Sequence, residues 1–300
     1  MPELPLAEVY DRALGAYLGL ALGDALGATV EFMTAAEIAL THGVHRQITG
    51  GGWLKLAPGQ VTDDTTMALA LGDALLQGQR AGTGFDARLV GEHFVRWWRG
   101  KPVDCGNTCR RGIRRFMADG SLQGEPTEGD AGNGALMRNL PVVLATLSAP
   151  SETALLAQSL AQARLTHHHA WSDAATLALA RMTRALLLGQ GERCAALAEA
   201  LVAQHSVFRY EPYPRRASAF VVDTVQTVLH HYFAYDDFEA AVVATVNRGD
   251  DADTTGALVG MLAGARCGAQ ALPAAWLRRL DPQVRRAITE QTSSLLACTP

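Results

Sequence analysis

Apolar residues recur along most of the chain at helical spacing, and over no useful length do they alternate with polar ones as in a half-buried, β-branched strand. The pattern predicts helices over residues 11–27, 85–98, 137–147, 152–165, 172–188, 195–204, 217–233, 238–246 and 255–268. A further helix starts after Thr62 and ends near Gly78, a basic one covers 110–116, and a last one follows the proline-rich stretch 272–282. Glycine and proline mark 49–59 as a loop, 119–133 is polar, and Tyr210, Pro212, Tyr213 and Pro214 break the helical run at 207–216. In the first helix Gly15, Gly19, Gly23 and Gly27 fall every fourth position and share one face. Each glycine weakens an isolated helix by about 1 kcal/mol against alanine, so this helix is expected to be buried, with another backbone close against the glycine face. The fold expected is an all-α, multi-helix globule. No fixed-period repeat or low-complexity linker divides it, so one domain spanning 1–300 is expected.

Composition fits a soluble chain with a sizeable core: 48% of the residues are hydrophobic and 19% charged. A net charge of -4 leaves no footprint for a nucleic-acid backbone, so no nucleic-acid partner is expected. The five cysteines are odd in number and form no C-x-x-C pair, which speaks against a disulfide framework or cysteine zinc site and for a reducing cytoplasm. The first residues lack the basic and apolar regions of a secretory signal, and the apolar run 13–23 is halted by Asp24 before it could span a bilayer. A cytoplasmic location without a transmembrane segment is expected; reversible membrane association is compatible with it.

The chemistry concentrates in two short stretches. Asp250-Asp251-Ala252-Asp253-Thr254-Thr255 places three carboxylates and two hydroxyls in six residues before an apolar helical run, and Thr62-Asp63-Asp64-Thr65-Thr66 repeats the grammar. No phosphate-loop, dinucleotide-binding, H-E-x-x-H or G-x-S-x-G motif is present, which excludes the common nucleotide, redox, zinc-protease and serine-hydrolase readings. Carboxylates that converge in one pocket repel by about 4 kcal/mol per pair at 4 Å and an effective dielectric of 20. A divalent cation is the usual remedy, and oxygen ligands suit Mg²⁺ or Mn²⁺ better than zinc. The two clusters are therefore read as halves of one metal site. Against this stands the plain alternative of first-turn acids and N-caps, evenly balanced for Thr62-Asp63 alone and weaker for the D-x-D-T spacing. Asp24 leans structural, while Glu31 fits either a ligand or a buried partner.

Four motifs, Gly19-x-x-x-Gly23-Asp24-Ala25-x-Gly27 with Glu31, Thr62-Asp63-Asp64-Thr65, Gly132-Asn133-Gly134-Ala135-x-Met137-Arg138 and Asp251-Ala252-Asp253-Thr254, together resemble the ADP-ribosylglycohydrolase family. With the glycines flanking them they run from Gly15 to Gly268, nearly the whole chain. The resemblance is strongest to the branch acting on nitrogenase iron protein, through Gly50-Gly51-Gly52-Trp53-Leu54-Lys55-Leu56, Pro102-Val103-Asp104, Arg110-Arg111-Gly112-Ile113-Arg114-Arg115-Phe116 and Trp276-Leu277-Arg278. It implies an all-α fold, a binuclear Mn²⁺ or Mg²⁺ centre, and hydrolysis of the bond between ADP-ribose and a protein arginine. By matching motif, Thr62, Asp63, Asp64, Asp251, Asp253 and Thr254 would hold two metal ions, with Glu31 on or beside one of them. Asp104 would be the catalytic carboxylate. Asn107, Glu128, the Gly132-Asn133-Gly134 turn and His167, first of three consecutive histidines, would line the substrate site. The implied partners are ADP-ribosylated nitrogenase iron protein and a PII-type signalling protein. A hydrolase of another ADP-ribosyl linkage, such as serine-linked, or a catalytically silent binding protein on the same fold are the alternatives. One departure stands out: the family usually has glycine immediately before its D-x-D-T, and this chain has Asp250. Arg110, Arg111, Arg114 and Arg115 are either a solvated face or a contact for pyrophosphate or an acidic protein, in equal balance.

Overall fold

The computed structural model describes residues 5–298. These form fourteen α-helices and no β-strand: α1 Leu6–Gly27, α2 Ala35–His42, α3 Asp63–Ala81, α4 Ala87–Arg99, α5 Asn107–Asp119, α6 Leu140–Ala145, α7 Thr153–Arg164, α8 Ala170–Leu187, α9 Arg193–Gln204, α10 Val221–Ala234, α11 Phe238–Val246, α12 Ala252–Cys267, α13 Ala274–Arg279 and α14 Pro282–Leu296. The all-α expectation holds. Three boundaries differ from the periodicity. Residues 217–220 are extended rather than helical, α6 begins only at Leu140, and the stretch around 272–282 contains the short α13. Several starts follow local chemistry: Thr34 and Glu37 form a reciprocal capping box on α2, Asp86 caps α4, and Asp281 caps α14 ahead of Pro282.

The core is built on α1 and α12. They run antiparallel with glycine against glycine: a Cβ added at Gly15, Gly19 or Gly23 would stand 2.4, 2.2 or 2.0 Å from the carbonyl oxygen of Gly264, Gly260 or Gly256. The reciprocal additions at Gly260 and Gly264 would stand 2.1 Å from Gly19 and Gly15 oxygens. The glycine face seen in α1 therefore has a matching face on α12, and both helices are buried over most of their length. Around this pair α8, α10 and α11 pack on α12, and α3 and α14 pack on α1. A buried polar knot joins α1, α14 and α3: the Tyr17 hydroxyl donates to Gln291 Oε1 at 2.7 Å, and the Gln291 amide donates to Leu69 O and Asp73 Oδ1, each at 3.0 Å. No helix among the described residues is long and apolar enough to cross a membrane.

Candidate metal centre and substrate cleft

At one end of the central pair the last turn of α1 meets the first turns of α12 and α3. A Cβ at Gly27 would lie 2.5 Å from the Cα of Asp253, so the glycine face continues into the site. From here the chain turns to deliver Glu31. α12 contributes Asp251 at its N-cap, then Asp253 and Thr254, and α3 contributes Asp63 and Asp64 directly after Thr62. A helix N-terminus favours each carboxylate by about 0.3–1 kcal/mol. Thr62 occupies the N-cap position of α3, yet its side chain does not cap the helix. Its hydroxyl lies 3.4 Å from both Asp64 Oδ2 and Asp253 Oδ2, and the Thr254 hydroxyl donates to Asp64 Oδ2 at 3.2 Å. The two acidic stretches thus converge across about 190 residues of chain.

Asp24 is fully buried but stands apart from this convergence. It accepts the Thr62 and Thr65 backbone N–H groups at 3.0 and 3.2 Å and the Thr65 hydroxyl at 2.5 Å, so it fastens the first turn of α3 to α1. Glu31, Asp251 and Asp253 each offer an oxygen within 4.8 Å of the others. At that separation each ionised pair costs about 3.5 kcal/mol at an effective dielectric of 20. Burial, reinforced by the neighbouring carboxylates, raises Asp64 and Asp253 well above the usual carboxylate range. Burial and then Asp104 raise Asp63 to about 7, and burial with Asp251 nearby raises Glu31 to about 8. Asp64 Oδ1 is buried with no hydrogen-bond partner. Such an orphaned acceptor within an all-oxygen donor set fits a hard divalent cation.

Two side chains orient these acids. The indole N–H of Trp53 donates to Glu31 Oε2 at 2.7 Å, and the Asn133 amide donates to both Asp251 Oδ2 and the Thr224 hydroxyl. The backbone helps as well. Phe32 N–H donates to Asp250 O, Asp250 N–H to Met33 O, Asp251 N–H to Ala217 O, Asn133 N–H to Ala219 O and Val221 N–H to Ala131 O, at 2.7 to 3.2 Å. The extended segment 217–220 is therefore the strut between the Asn133 turn and Asp251.

Above the acids lies a cleft of about 490 Å³, a size that suits a small ligand. Glu31, Asp63, Asp251, Asp253 and Thr254 line it together with Asp104, Asn107, Glu128, Gly132, Asn133, Gly134 and His167. Asp104 is half-buried, Asn107 and Glu128 are exposed, and His167 is buried. Burial, with Arg138 and Arg111 nearby, pushes the His167 imidazole well below its ordinary value, so it is neutral. Its Nδ1 is 2.8 Å from the Thr166 hydroxyl, which also accepts from Arg138 Nη2 at 2.8 Å. With Arg138 a fixed donor, the hydroxyl proton goes to Nδ1 and leaves Nε2–H to face the cleft. Added Cβ atoms at Gly132 and Gly134 would come within 3.1 and 3.2 Å of that Nε2, so these glycines make room for the imidazole.

A family model described as ADP-ribosylglycohydrolase matches residues 5–299. The chain belongs to the ADP-ribosylglycohydrolase family. It is 56% identical, over 96% of its length and 97% of the relative's, to the ADP-ribosyl-[dinitrogen reductase] glycohydrolase of Rhodospirillum rubrum. An ADP-ribosylarginine hydrolase of Serratia proteamaculans is 32% identical, covering 94% of this chain and 78% of the relative. A solved structure titled ADP-ribosylglycohydrolase-related protein complex superposes with a TM-score of 0.84 at 36% identity, covering 97% of this chain and 99% of the other.

Against the glycohydrolase pattern, the one departure has a backbone explanation. Asp250 has φ +60°, a left-handed conformation that glycine adopts freely and Asp tolerates better than most residues, and its side chain is exposed. The carboxylates turned inward are Asp251 and Asp253. The three histidines lie between α7 and α8 rather than on a helix. His167 lines the cleft, His168 Nδ1 pairs with Gly124 O, and His169 caps α8 and sits 3.4 Å from Glu128. Of the arginine run, Arg111 pairs with Asp130 and Arg115 donates to Leu165 O at 2.8 Å, and none of the four lines the acidic cleft. Trp53, the Asn133 side chain, Thr166 and Arg138 are supporting residues whose contacts carry no local signal in the sequence. Arg138 is fully buried without a carboxylate partner, its guanidinium held by Gln162, Thr166 and the Phe94 ring.

Proposed function

We propose that this chain is a metal-dependent hydrolase that removes ADP-ribose from a modified arginine of a target protein, dinitrogen reductase, and so reactivates it. The observation that carries the reading is the buried, cation-seeking carboxylate cluster on the floor of a cleft whose wall holds Asp104. The 56% identical relative, whose printed name gives dinitrogen reductase as its target, supports the choice of substrate. Thr62, Asp63, Asp64, Asp251, Asp253 and Thr254, with Glu31, would hold two Mn²⁺ or Mg²⁺ ions. Bound there, the ions neutralise the cluster and supply Lewis acidity toward the ribose oxygens.

The chain's own residues do the rest. Hydrolysis breaks the bond between the ribose anomeric carbon and the guanidine nitrogen, placing the water oxygen on carbon and a proton on nitrogen. Asp104 is the proton-transfer group for this exchange. His167, neutral with Nε2–H turned to the cleft, donates a hydrogen bond to the substrate and is held in that tautomer by Thr166 and Arg138. Asn107 and Glu128 contact the substrate from the rim, and the Gly132-Asn133-Gly134 turn shapes the wall beneath. Trp53 and Asn133 keep Glu31 and Asp251 aimed. Residues 1–300 work as one domain in this reading. The setting is cytoplasmic, with a PII-type signalling protein and reversible membrane association as the means of control.

The test is Asp104→Asn. Release of ADP-ribose from ADP-ribosylarginine should fall by roughly 10²–10⁴-fold, the range of a lost general acid–base group, while Mn²⁺ binding by calorimetry stays as in the wild type. Undiminished release by the variant would remove Asp104 from its role. A wild type that cleaves serine-linked and not arginine-linked ADP-ribose would overturn the linkage.

A further inference from the structure

The cleft accounts for a small ligand, whereas a protein-linked ADP-ribose also lays a protein surface across the rim. We propose that the arginine-rich edge formed by α4 and α5 is the docking surface for an acidic face of that modified protein. The inference rests on the hydrolase reading above and adds the site where the protein part of the substrate lands.

Residues 86–119 contain eight Lys or Arg and four Asp or Glu, a net of +4 within a chain of net -4. Most of the acids are engaged elsewhere: Asp86 caps α4, Asp119 holds Ser121, and Asp104 faces the cleft. Two of the bases are turned to structural partners, Arg111 to Asp130 and Arg115 to Leu165 O. Arg88, Arg96, Arg99, Lys101, Arg110 and Arg114 are exposed, and no ion pair among the described residues includes them.

These charges also lie along a path to the chemistry. A hollow of about 540 Å³ between α4 and α5 is bordered by Arg88, Arg96 and Arg99, with Phe116 and the exposed Met117 as its apolar part. Arg99 is shared with a second hollow of about 480 Å³ that includes Lys101 and Arg110, and that hollow shares Asp104 with the acidic cleft. A partner seated on this edge therefore reaches the cleft at the catalytic wall. Exposed arginines in water bind a lone anion weakly, but a row of them steers and orients a broad acidic surface. The basic edge also offsets the negative floor of the cleft, which by itself would repel such a surface.

The experiment compares the full-length wild type with R96E/R99E and R96K/R99K, supplied with Mn²⁺ at low ionic strength, on ADP-ribosylated dinitrogen reductase and on free ADP-ribosylarginine. Neither arginine lines the acidic cleft. For R96E/R99E, kcat/KM on the protein substrate should fall roughly tenfold or more through KM, with free ADP-ribosylarginine changed by less than about twofold. R96K/R99K should match the wild type. Added salt should slow the wild type on the protein substrate more steeply than R96E/R99E. An unchanged rate of R96E/R99E on the protein, or an equal loss on both substrates, overturns the docking surface. A wild type silent on both substrates would sink the hydrolase reading itself, and the docking surface with it.

Discussion

Replacing Gly23 with alanine tests the packing that places the site. The new methyl would stand 2.0 Å from the Gly256 carbonyl oxygen and 2.4 Å from its carbon, against 3.4–4 Å for ordinary contact. The obstacle is helix backbone, which cannot swing aside, so α1 and α12 must part by about 1 Å. A gap of 0.5–1 Å forfeits roughly a quarter to a half of the dispersion energy of the atoms facing it. Overpacking in cores costs about 1–3 kcal/mol, and alanine returns about 1 kcal/mol of helix propensity. With the lost contacts included, the net loss is about 3 kcal/mol. At about 2 °C per kcal/mol for a chain of this size, calorimetry should show melting lowered by about 6 °C. Gly191→Ala is the control, since its nearest neighbour is the end of the Leu186 side chain at 3.3 Å, which can yield. Gly15→Ala meets Gly264 O at 2.4 Å at the opposite end of the pair and should lower stability without changing Mn²⁺ affinity. Gly23→Ala should weaken Mn²⁺ binding as well, because Gly256 lies in the first turns of α12 with Asp253 and Thr254. A Gly23→Ala protein that melts within about 1 °C of the wild type would refute the reasoning.

Two further outcomes follow from the acids. Burial, joined by neighbouring carboxylates at Asp63 and Glu31, pushes Asp24 and Asp251 to about 6, Asp63 to about 7 and Glu31 to about 8, from 3.8 for Asp and 4.5 for Glu. Carboxyls raised in the folded state take up protons on folding, so the chelator-treated protein is most stable when they are protonated and loses stability as pH rises from about 4 through about 8. Mn²⁺ binds the ionised form, so the gap in melting temperature between loaded and metal-free protein should widen from pH 5.5 to pH 8; a constant gap would contradict this. Asn133→Ala removes the amide that aims Asp251 and should weaken Mn²⁺ binding by about 10–100-fold in calorimetry. Unchanged affinity would show that Asp251 needs no such support.

The helices were legible because their apolar spacing is local, and the acidic stretches because three or more oxygen-bearing side chains crowd a few residues. Glycines every fourth residue in α1 announced a close backbone neighbour. The equal spacing of Gly256, Gly260 and Gly264 was in plain view, but nothing short of the packed structure pairs the two runs. Convergence of Asp64 with Thr254 is likewise a long-range event that spacing cannot encode. Residues 217–220 read as helix because they adjoin the apolar run of α10, yet their carbonyls at Ala217 and Ala219 are claimed by Asp251 and Asn133. Trp53, the Asn133 side chain and Thr166 act through single polar contacts that leave no local pattern. Asp250 looked like an extra ligand by composition, and only its positive φ and exposed side chain show that its backbone is what matters.

Phe32 and Asp250, both left-handed, are joined by the Phe32-to-Asp250 and Asp250-to-Met33 backbone bonds at 2.7 and 2.8 Å. The segment carrying Glu31 and the segment carrying Asp251 consequently open as one unit, since neither can swing outward without breaking the other's hydrogen bonds. Their amides should exchange with deuterium in a single correlated event, far rarer than the fraying of an ordinary surface turn. A cation then comes and goes through the mouth of the cleft rather than through a parted seam, and occupancy of that mouth by substrate locks the cation in.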